Sequence, residues 1–382
     1  MDRRLNISDK YFKLINQGSK TVEIRLNDPR RYGLKEGTLI NLINDQTQDE
    51  LCVKIKRVTK YNSFKDLLTN EDTSKTQLSL SDLDVLYQFY SIENEAKYGV
   101  LAIEVEKFEP SLDMIENFVF DLDGTLLNEQ GKINPQNYKM LLELSKQGKN
   151  IIIATGRPLY TAKNIIKDLP TKFPIIFANG SMIYDLKQQK FIKTFPIEKE
   201  YALNIYNQMN QWGYDLLIYI PESVIGINTF KTDFFSSKNY NHRIGEQHFW
   251  ENPDFNTKDY DLCKFLVIKR SNEEEKFNDV ISFINKIPNV YGVVSQPPYL
   301  DVMSSKATKG NGLKYLFEQY NLDLNKTICF GDADNDESMF EICKFSGATA
   351  NAFESVKSKA LFQCLDHDTD WLVQFINKLN KK

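Results

Sequence analysis

An apolar run, Phe118-Val119-Phe120, ends in Asp121-Leu122-Asp123-Gly124-Thr125. Two carboxylates one residue apart therefore stand at the end of a short buried strand, and strand alternation turns both to one side. Far downstream, Ile328-Cys329-Phe330 runs into Gly331-Asp332 and then Asn335-Asp336. Open parallel sheets build their sites at the carboxyl ends of such strands. Carboxylates gathered there repel one another, so the pattern calls for a hard divalent cation with oxygen ligands, magnesium foremost. Asp121 can attack an electrophilic phosphorus and form an aspartyl-phosphate. Asp123 can protonate the departing alkoxide and later deprotonate the attacking water. Thr155, in Ile153-Ala154-Thr155-Gly156-Arg157, ends another strand and offers a hydroxyl to a phosphoryl oxygen. Lys309 opens a helix after Ala307-Thr308, where its ammonium can neutralise both the phosphoryl group and the crowded carboxylates. Metal and lysine together supply the positive charge that phosphoryl transfer requires.

Each element alone has a plainer reading. Asp-x-Asp-Gly is a common turn sequence. The run 331–336 looks like a calcium loop, but the bidentate Glu that closes such a loop is missing from the required spacing. Four elements in this order, each behind an apolar strand, point to one site.

The chain has 382 residues, enough for two or three domains, and 41% are hydrophobic, enough for real cores. A net charge of −4 gives no global reason to expect a nucleic-acid binder, although Arg25, Arg30, Arg31 and Lys35 could form a local basic patch. Five scattered cysteines without CxxC spacing argue against a disulfide framework or structural zinc and fit a reducing compartment. No stretch is long and apolar enough to span a bilayer, and the N-terminus has no apolar leader, so a soluble cytoplasmic protein is expected. His242, His248 and Cys263 lack metal-ligand spacing. The aromatic and basic stretch from Phe234 to Trp250 reads as packing, with a substrate pocket or base stacking as the alternative.

Residues 1–107 read as a short helix followed by strands at 21–26, 38–43, 51–58 and 99–105, with polar helical pieces between the last two. Ser8 is placed to cap the helix, and Gly18 would end it. Residues 108–115, around Pro110, read as a linker with few contacts, which implies that the two halves fold independently. Strand and helix then alternate, which argues for βαβ units around a parallel sheet: strands at 150–154 and 174–178, helices at 135–146 and 159–169. From 186 to 298 the pattern is mixed and suggests an inserted α+β module. Alternation resumes with a strand at 300–303, a helix at 309–320, a strand at 327–330 and a helix at 336–344.

Residues 116–382 resemble the haloacid dehalogenase (HAD) superfamily of phosphohydrolases, Cof-type subclass IIB. Asp121-Leu122-Asp123-Gly124-Thr125 is similar to its first motif, Thr155 to the second, Lys309 in Thr308-Lys309-Gly310 to the third, and Gly331-Asp332 with Asn335-Asp336 to the fourth. Ala178-Asn179-Gly180 and Gly347-Ala348-Thr349-Ala350-Asn351-Ala352 look like subclass marks. The resemblance implies a Rossmann-like α/β core split into 116–185 and 299–382, with residues 186–298 as an inserted cap. It implies that Asp121, the backbone carbonyl of Asp123, and Asp332 hold Mg2+. Thr155, Gly156, Asn179, Lys309 and Asn335 would bind substrate, with Asp336 in support. The implied activity is hydrolysis of a small phosphorylated metabolite, or phosphoryl transfer with the same residues. The family usually carries Asp-Gly-Val near its end, where this chain has Thr369-Asp370-Trp371, and Ala333 stands where a second Gly is common.

Residues 1–107 resemble a second family, the ASCH domain, which has a small, mostly β, PUA-like barrel. The marks are Gly18-Ser19-Lys20-Thr21-Val22-Glu23-Ile24-Arg25, Gly37 before a strand, and Tyr98-Gly99-Val100. The resemblance implies weak RNA or nucleotide binding around Lys20, Glu23 and Arg25. Some small members hydrolyse modified nucleosides with a Lys and a Thr of this motif, but Glu23 stands where that Thr would be. The alternative for these three residues is a charged face or a set of pairs across the barrel. A different reading of the whole chain is an RNA- or nucleotide-binding protein with a regulatory HAD module.

Overall fold

The computed structural model describes residues 1–227, 249–251, 255–268, 274–296 and 299–380. The aromatic stretch from Phe234 to Trp250 lies almost wholly outside them; within it only part of the strand Phe249–Glu251 is described.

The N-terminal domain is a strand-rich half-barrel of five strands in the order Arg4–Ile7, Leu39–Asn44, Glu50–Tyr61, Val100–Lys107, Val22–Leu26. Its two outer strands are not paired to each other. The helix Asp9–Asn16 follows Ser8 and buries Phe12 and Ile15 against the sheet. The expectation of a helix first is corrected by the strand Arg4–Ile7, which precedes it and pairs in parallel with Leu39–Asn44. Four alternating residues are too few to announce a strand by periodicity. The helical pieces foreseen between the last two strands are Phe64–Asn70, Thr73–Thr76, Leu83–Tyr87 and Ile92–Tyr98.

Beyond it, five parallel strands lie in the order Phe362–Gln363, Phe345–Ala348, Thr327–Gly331, Asn117–Phe120, Asn150–Ile153. The strand that ends at Asp121 and the strand that ends at Asp332 are therefore neighbours, with Phe120 opposite Phe330 in register. Those rings stack at 5.2 Å, and Trp371 lies 5.0 Å from Phe330. Truncating Phe330 to Ala would cost about 3–5 kcal/mol. The sheet is thus packed rigidly where it delivers its aspartates. The helices Pro135–Lys146 and Lys309–Tyr320 have the expected bounds, each behind a residue whose side chain caps it, Asn134 and Thr308.

Two expectations for the remaining strands are corrected. The strand Ile175–Phe177 touches the parallel sheet through one bridge, Ala154 to Ile176. Its ladder partner is Met182–Asp185, which forms a hairpin with Lys190–Thr194, so a cap beginning at 186 would start inside that hairpin. The strand Tyr299–Ser304 does not resume the parallel core. It pairs antiparallel with Lys264–Ile268 and with Val290–Gln296 in a six-stranded sheet that also holds Asp215–Ile220 and Ser223–Ile227. A division at 298/299 therefore falls within a hairpin. Leu300 and Val302 pack in the core of this sheet with Phe265 and Val267, and a short apolar run reads alike for either destination.

The segment 108–115 is not slack. Pro110 is buried, Phe108 packs on Phe345, and the Phe108 N–H donates to the Cys52 carbonyl at 2.9 Å. Leu39 and Cys52 of the half-barrel belong to the same apolar cluster as Phe362, Phe375 and Leu379 of the C-terminal part. The buried Arg3 side chain crosses the boundary and donates to the carbonyls of Lys344 at 3.1 Å and Cys343 at 3.3 Å. The expected boundary of few contacts is corrected: short apolar side chains on two neighbouring strands leave no sequence mark of a shared interface.

Candidate active site

Gly124 turns the chain after the first strand at φ +73°, and a Cβ there would collide with the Asp332 carboxylate. Only glycine lets the two aspartate-bearing loops close on each other. Thr125 Oγ1 then donates to Asp332 Oδ1 at 3.0 Å, and Trp371 Nε1 donates to the Thr125 carbonyl at 3.0 Å. Trp371, the residue of the departure from Asp-Gly-Val, is thus fully buried behind this loop.

Asp121, Asp332 and Asp336 offer carboxylate oxygens that all lie within 4.8 Å of one another. Lys309 enters from the first turn of its helix, wholly buried, and donates to Asp121 Oδ1 and Asp336 Oδ1, each at 2.6 Å. Asp336 Oδ2 accepts from the Asp332 and Ala333 N–H groups at 2.9 and 3.1 Å, which ties it to the loop. Burial pushes the Asp121 carboxyl well above the ordinary carboxylate range; Lys309 opposes this, and Asp336 and Asp332 reinforce it. Burial, with Asp336 close by, pushes Asp332 up to about 7. Burial works against the charge on Lys309, but Asp121 and Asp336 outweigh it and raise the ammonium. One cation thus faces three carboxyl groups, two buried and one half-buried, an oxygen-only donor set with charge to spare for a divalent metal.

Thr155 is fully buried, and its Oγ1 accepts from the Arg157 N–H at 3.1 Å. A Cβ on Gly156 would stand 2.8 Å from Asn179 Oδ1, so the two lie against each other. Asn179 adopts a left-handed backbone at φ 57°. Its Oδ1 accepts from Asn335 Nδ2 at 2.9 Å, and its Nδ2 donates to Asp301 Oδ2 at 3.2 Å. Asp301 in turn pairs with Lys264 at 2.7 Å, so polar contacts run from the 331–336 loop into the six-stranded sheet. Asn335 Oδ1 is buried without a partner among the described residues. Asp123 does not touch Lys309 or Asp121; it is held by Arg157, Nε to Oδ2 at 2.6 Å and Nη2 to Oδ1 at 2.5 Å. Burial alone would lower the Arg157 guanidinium, but Asp123 raises it. Sequence reasoning gave Arg157 no role, although it stands two residues beyond a strand-end Thr. Asp121, Thr155, Lys309, Asp332 and Asp336 converge around the ends of these strands; Gly156, Asn179 and Asn335 form one adjoining wall.

In the N-terminal domain Lys20, Glu23 and Arg25 also come together. Buried Lys20 donates to the carbonyls of Val22 at 2.6 Å and Thr76 at 2.8 Å and lies 3.7 Å from Glu23. Arg25 pairs with Glu23 at 3.0 Å and donates to the Asn6 carbonyl at 2.7 Å. Burial lowers the Lys20 ammonium, with Glu23 opposing. Arg30 and Arg31 of the suspected basic patch both pair with Asp28, at 3.1 and 2.5 Å.

No described helix is long and apolar enough to cross a membrane. Residues 118–376 match the haloacid dehalogenase-like hydrolase family, and residues 5–109 match the ASCH domain. A putative phosphatase of Mycoplasma pneumoniae is 31% identical over 69% of this chain and 96% of its own length. A 5-amino-6-(5-phospho-D-ribitylamino)uracil phosphatase of Bacillus subtilis is 24% identical, over 68% and 96%. A haloacid dehalogenase-like hydrolase of Bacteroides thetaiotaomicron superposes with a TM-score of 0.60 at 23% identity, covering 69% of this chain and 99% of its own. With its aspartates at the ends of adjacent parallel strands and these relatives at full length, the chain belongs to the haloacid dehalogenase-like hydrolases, as a phosphatase that carries an ASCH domain at its N-terminal end.

Proposed function

We propose that the chain hydrolyses a small phosphomonoester (a sugar phosphate, nucleotide or cofactor phosphate) in a Mg2+-dependent reaction with Asp121 as nucleophile. The observation that carries this reading is the buried Lys309 between Asp121 and Asp336, with the Asp332 carboxylate beside them. Asp121, the Asp123 carbonyl and Asp332 would hold the metal, which supplies positive charge against the phosphoryl oxygens. The carboxylate of Asp121 attacks phosphorus and the alkoxide leaves, giving an aspartyl-phosphate. Asp123 gives that alkoxide a proton, then takes one from the water that releases phosphate. Lys309 and Thr155 donate to the transferred group and hold it in line, with Asn335 as a further substrate-binding side chain beside them. Asn179 and Gly156 shape the wall beside it. The B. subtilis relative acts, by its name, on a phosphorylated ribityl compound, which supports a small polyol or sugar phosphate.

For the N-terminal domain we read weak RNA or nucleotide binding around Lys20, Glu23 and Arg25, supported by its family and its buried cations. The five cysteines are buried thiols not joined in disulfides, which fits the cytoplasm. The test is a screen of purified chain against phosphorylated metabolites, with Mg2+ and with EDTA. Release of phosphate from none of them, or full release after exhaustive chelation, refutes the reading.

A further inference from the structure

The six-stranded sheet carries two buried charges that the reaction, as proposed, does not use. Lys264 and Asp301 stand on adjacent strands with side chains 5% and 3% exposed, and they pair at 2.7 Å. Leu266 and Ile268, which alternate with Phe265 and Val267, belong to the same apolar cluster as Phe120 and Phe330. Lys264 therefore shares the sheet face that looks toward the parallel core. Its Nζ also lies 4.9 Å from the centre of the Tyr219 ring on the next strand. The pair is engaged with the catalytic wall: Lys264 takes Asp301 Oδ1, and Asp301 Oδ2 accepts from Asn179 Nδ2 at 3.2 Å.

A buried ion pair is by itself a poor source of stability, because apolar residues of the same volume often serve as well. This pair imposes a direction instead. An ammonium only donates, and a carboxylate paired with it only accepts. Asp301 therefore claims the NH2 of Asn179 and turns the Asn179 oxygen the other way, where it accepts from Asn335 Nδ2 at 2.9 Å. The two ends of an amide are nearly alike in shape, so packing alone does not choose between its orientations; the charge at residue 301 does. The backbone that carries Asn179 has no slack to compensate. Ala178, Asn179 and Gly180 all have positive φ, the Asn179 N–H donates to the Thr155 carbonyl at 3.1 Å, and a Cβ on Gly180 would overlap the Thr308 carbonyl beside Lys309.

We propose that Asp301, paired with Lys264, is a positioning residue that fixes which way the Asn179 and Asn335 amides face in the substrate-binding wall. Its effect on turnover rests on the phosphatase reading above; the orientation of the amides does not. An unusual consequence follows. In Asp301→Asn, Lys264 can still only donate, so it claims the oxygen of the new amide and leaves the NH2 facing Asn179. The Asn179 amide must then invert, and Asn335 after it. Adding Lys264→Met frees residue 301 to turn its oxygen back to Asn179, and the original direction returns. Deleting the lysine thus repairs the damage done beside it.

The test uses the full chain. Spectra of protein with isotopically labelled asparagine amides read the wall without turnover, the Asn179 and Asn335 NH2 signals being assigned by their loss in Asn179→Gly and Asn335→Ala. Both signals should move in Asp301→Asn and return when Lys264→Met is added. On para-nitrophenyl phosphate with Mg2+, kcat/KM should fall about tenfold in Asp301→Asn, chiefly through KM, and recover to within about threefold in the double variant. Lys264→Gln keeps a donor on Asp301, so it should melt lower and leave the signals and KM near those of the wild type. Unmoved signals in folded Asp301→Asn overturn the proposal, as do signals that fail to return in the double variant. A KM that follows melting temperature across all the variants also overturns it, since that is the behaviour of a merely structural pair. If Asp301→Asn does not fold, Asn179→Gly, which suits the left-handed backbone, takes its place in the kinetics, and an unchanged kcat/KM there overturns the positioning role. A wild-type chain that turns over no phosphate ester refutes the phosphatase reading, while the spectra still decide whether Asp301 orients the amides.

Discussion

Arg157 grips Asp123 through two parallel bonds, at 2.6 and 2.5 Å, and so fixes the second carboxylate of the Asp-x-Asp pair. A forked pair of this kind fixes orientation as well as charge. In the proposed reaction Asp123 must reach the leaving oxygen, so Arg157 governs where that carboxyl can go. Arg157→Met should lower turnover of alkyl phosphates about 10- to 100-fold, up to the lower end of what general acid catalysis contributes, because Asp123 itself remains. Activated aryl phosphates, whose leaving groups need no proton, should lose much less. Steady-state rates on the two substrate types check this; equal losses on both would mean that Arg157 acts on the phosphoryl group and not through Asp123.

Asp121→Asn keeps the side-chain shape and its place beside Lys309 but removes the attacking charge. Turnover should fall by about three orders of magnitude or more, while the fold persists. Phosphate release and a melting curve on the same sample decide it. Substantial residual turnover in a folded variant would remove Asp121 as nucleophile.

The crowded carboxylate cluster predicts a stability signature in the metal-free chain. An unfolded aspartate titrates near about 4. In the fold, burial holds Asp332 at about 7 and raises Asp121 as well. A carboxyl raised in this way contributes its stability below its unfolded value and loses that contribution as pH climbs through the folded one. Relative to Asp332→Asn, the wild-type chain in EDTA should therefore lose melting temperature between about pH 4 and about pH 7. Mg2+ should restore it, more strongly toward the upper end of that window, because it binds the ionised form. Parallel slopes for the two proteins in EDTA would show that Asp332 is not under charge stress.

The strands that deliver the candidate site were legible because each is a run of three or four apolar residues with Asp or Thr within two residues of its end, and a parallel core leaves that pattern nearly undisguised. Helix bounds at 135–146 and 309–320 were legible for a related reason: Asn134-Pro135 and Thr308 are start signals with a mechanism. Tyr299–Ser304 was not placed, because Leu300 and Val302 are apolar in either sheet and register depends on partners distant in the chain. Arg157 escaped for the same reason: its meaning lies in Asp123, 34 residues earlier in sequence, and only the fold brings the two together. The interface between the domains was invisible too. Arg3, Leu39 and Cys52 look like ordinary strand residues until the C-terminal helix Trp371–Asn380 and the 343–345 turn are set against them.

That interface carries the last prediction. Every residue assigned to chemistry lies beyond Asp113, so a shortened chain beginning there keeps the whole catalytic set. It loses the half-barrel surface of Leu39 and Cys52 that covers Phe362, Phe375 and Leu379, and the buried donor that Arg3 gives to Cys343 and Lys344. It also loses the Lys378–Glu50 pair at 2.9 Å, a surface contact worth little by itself. The shortened chain should melt several degrees below the full one and expose apolar surface, while retaining turnover of small aryl phosphates at low temperature. Arg3→Ala in the full chain should reproduce part of the loss, about 1–3 kcal/mol, because the buried Cys343 carbonyl and the part-buried Lys344 carbonyl lose this donor. Melting curves of the three proteins with a dye that reports exposed apolar surface decide between the outcomes. If the shortened chain melts where the full chain does, the contacts across the boundary contribute nothing and the halves are independent after all. If it folds and melts lower but has lost turnover, the half-barrel is needed for the catalytic loop itself, through the Ser358 and Phe353 hydrogen bonds that reach Asp332.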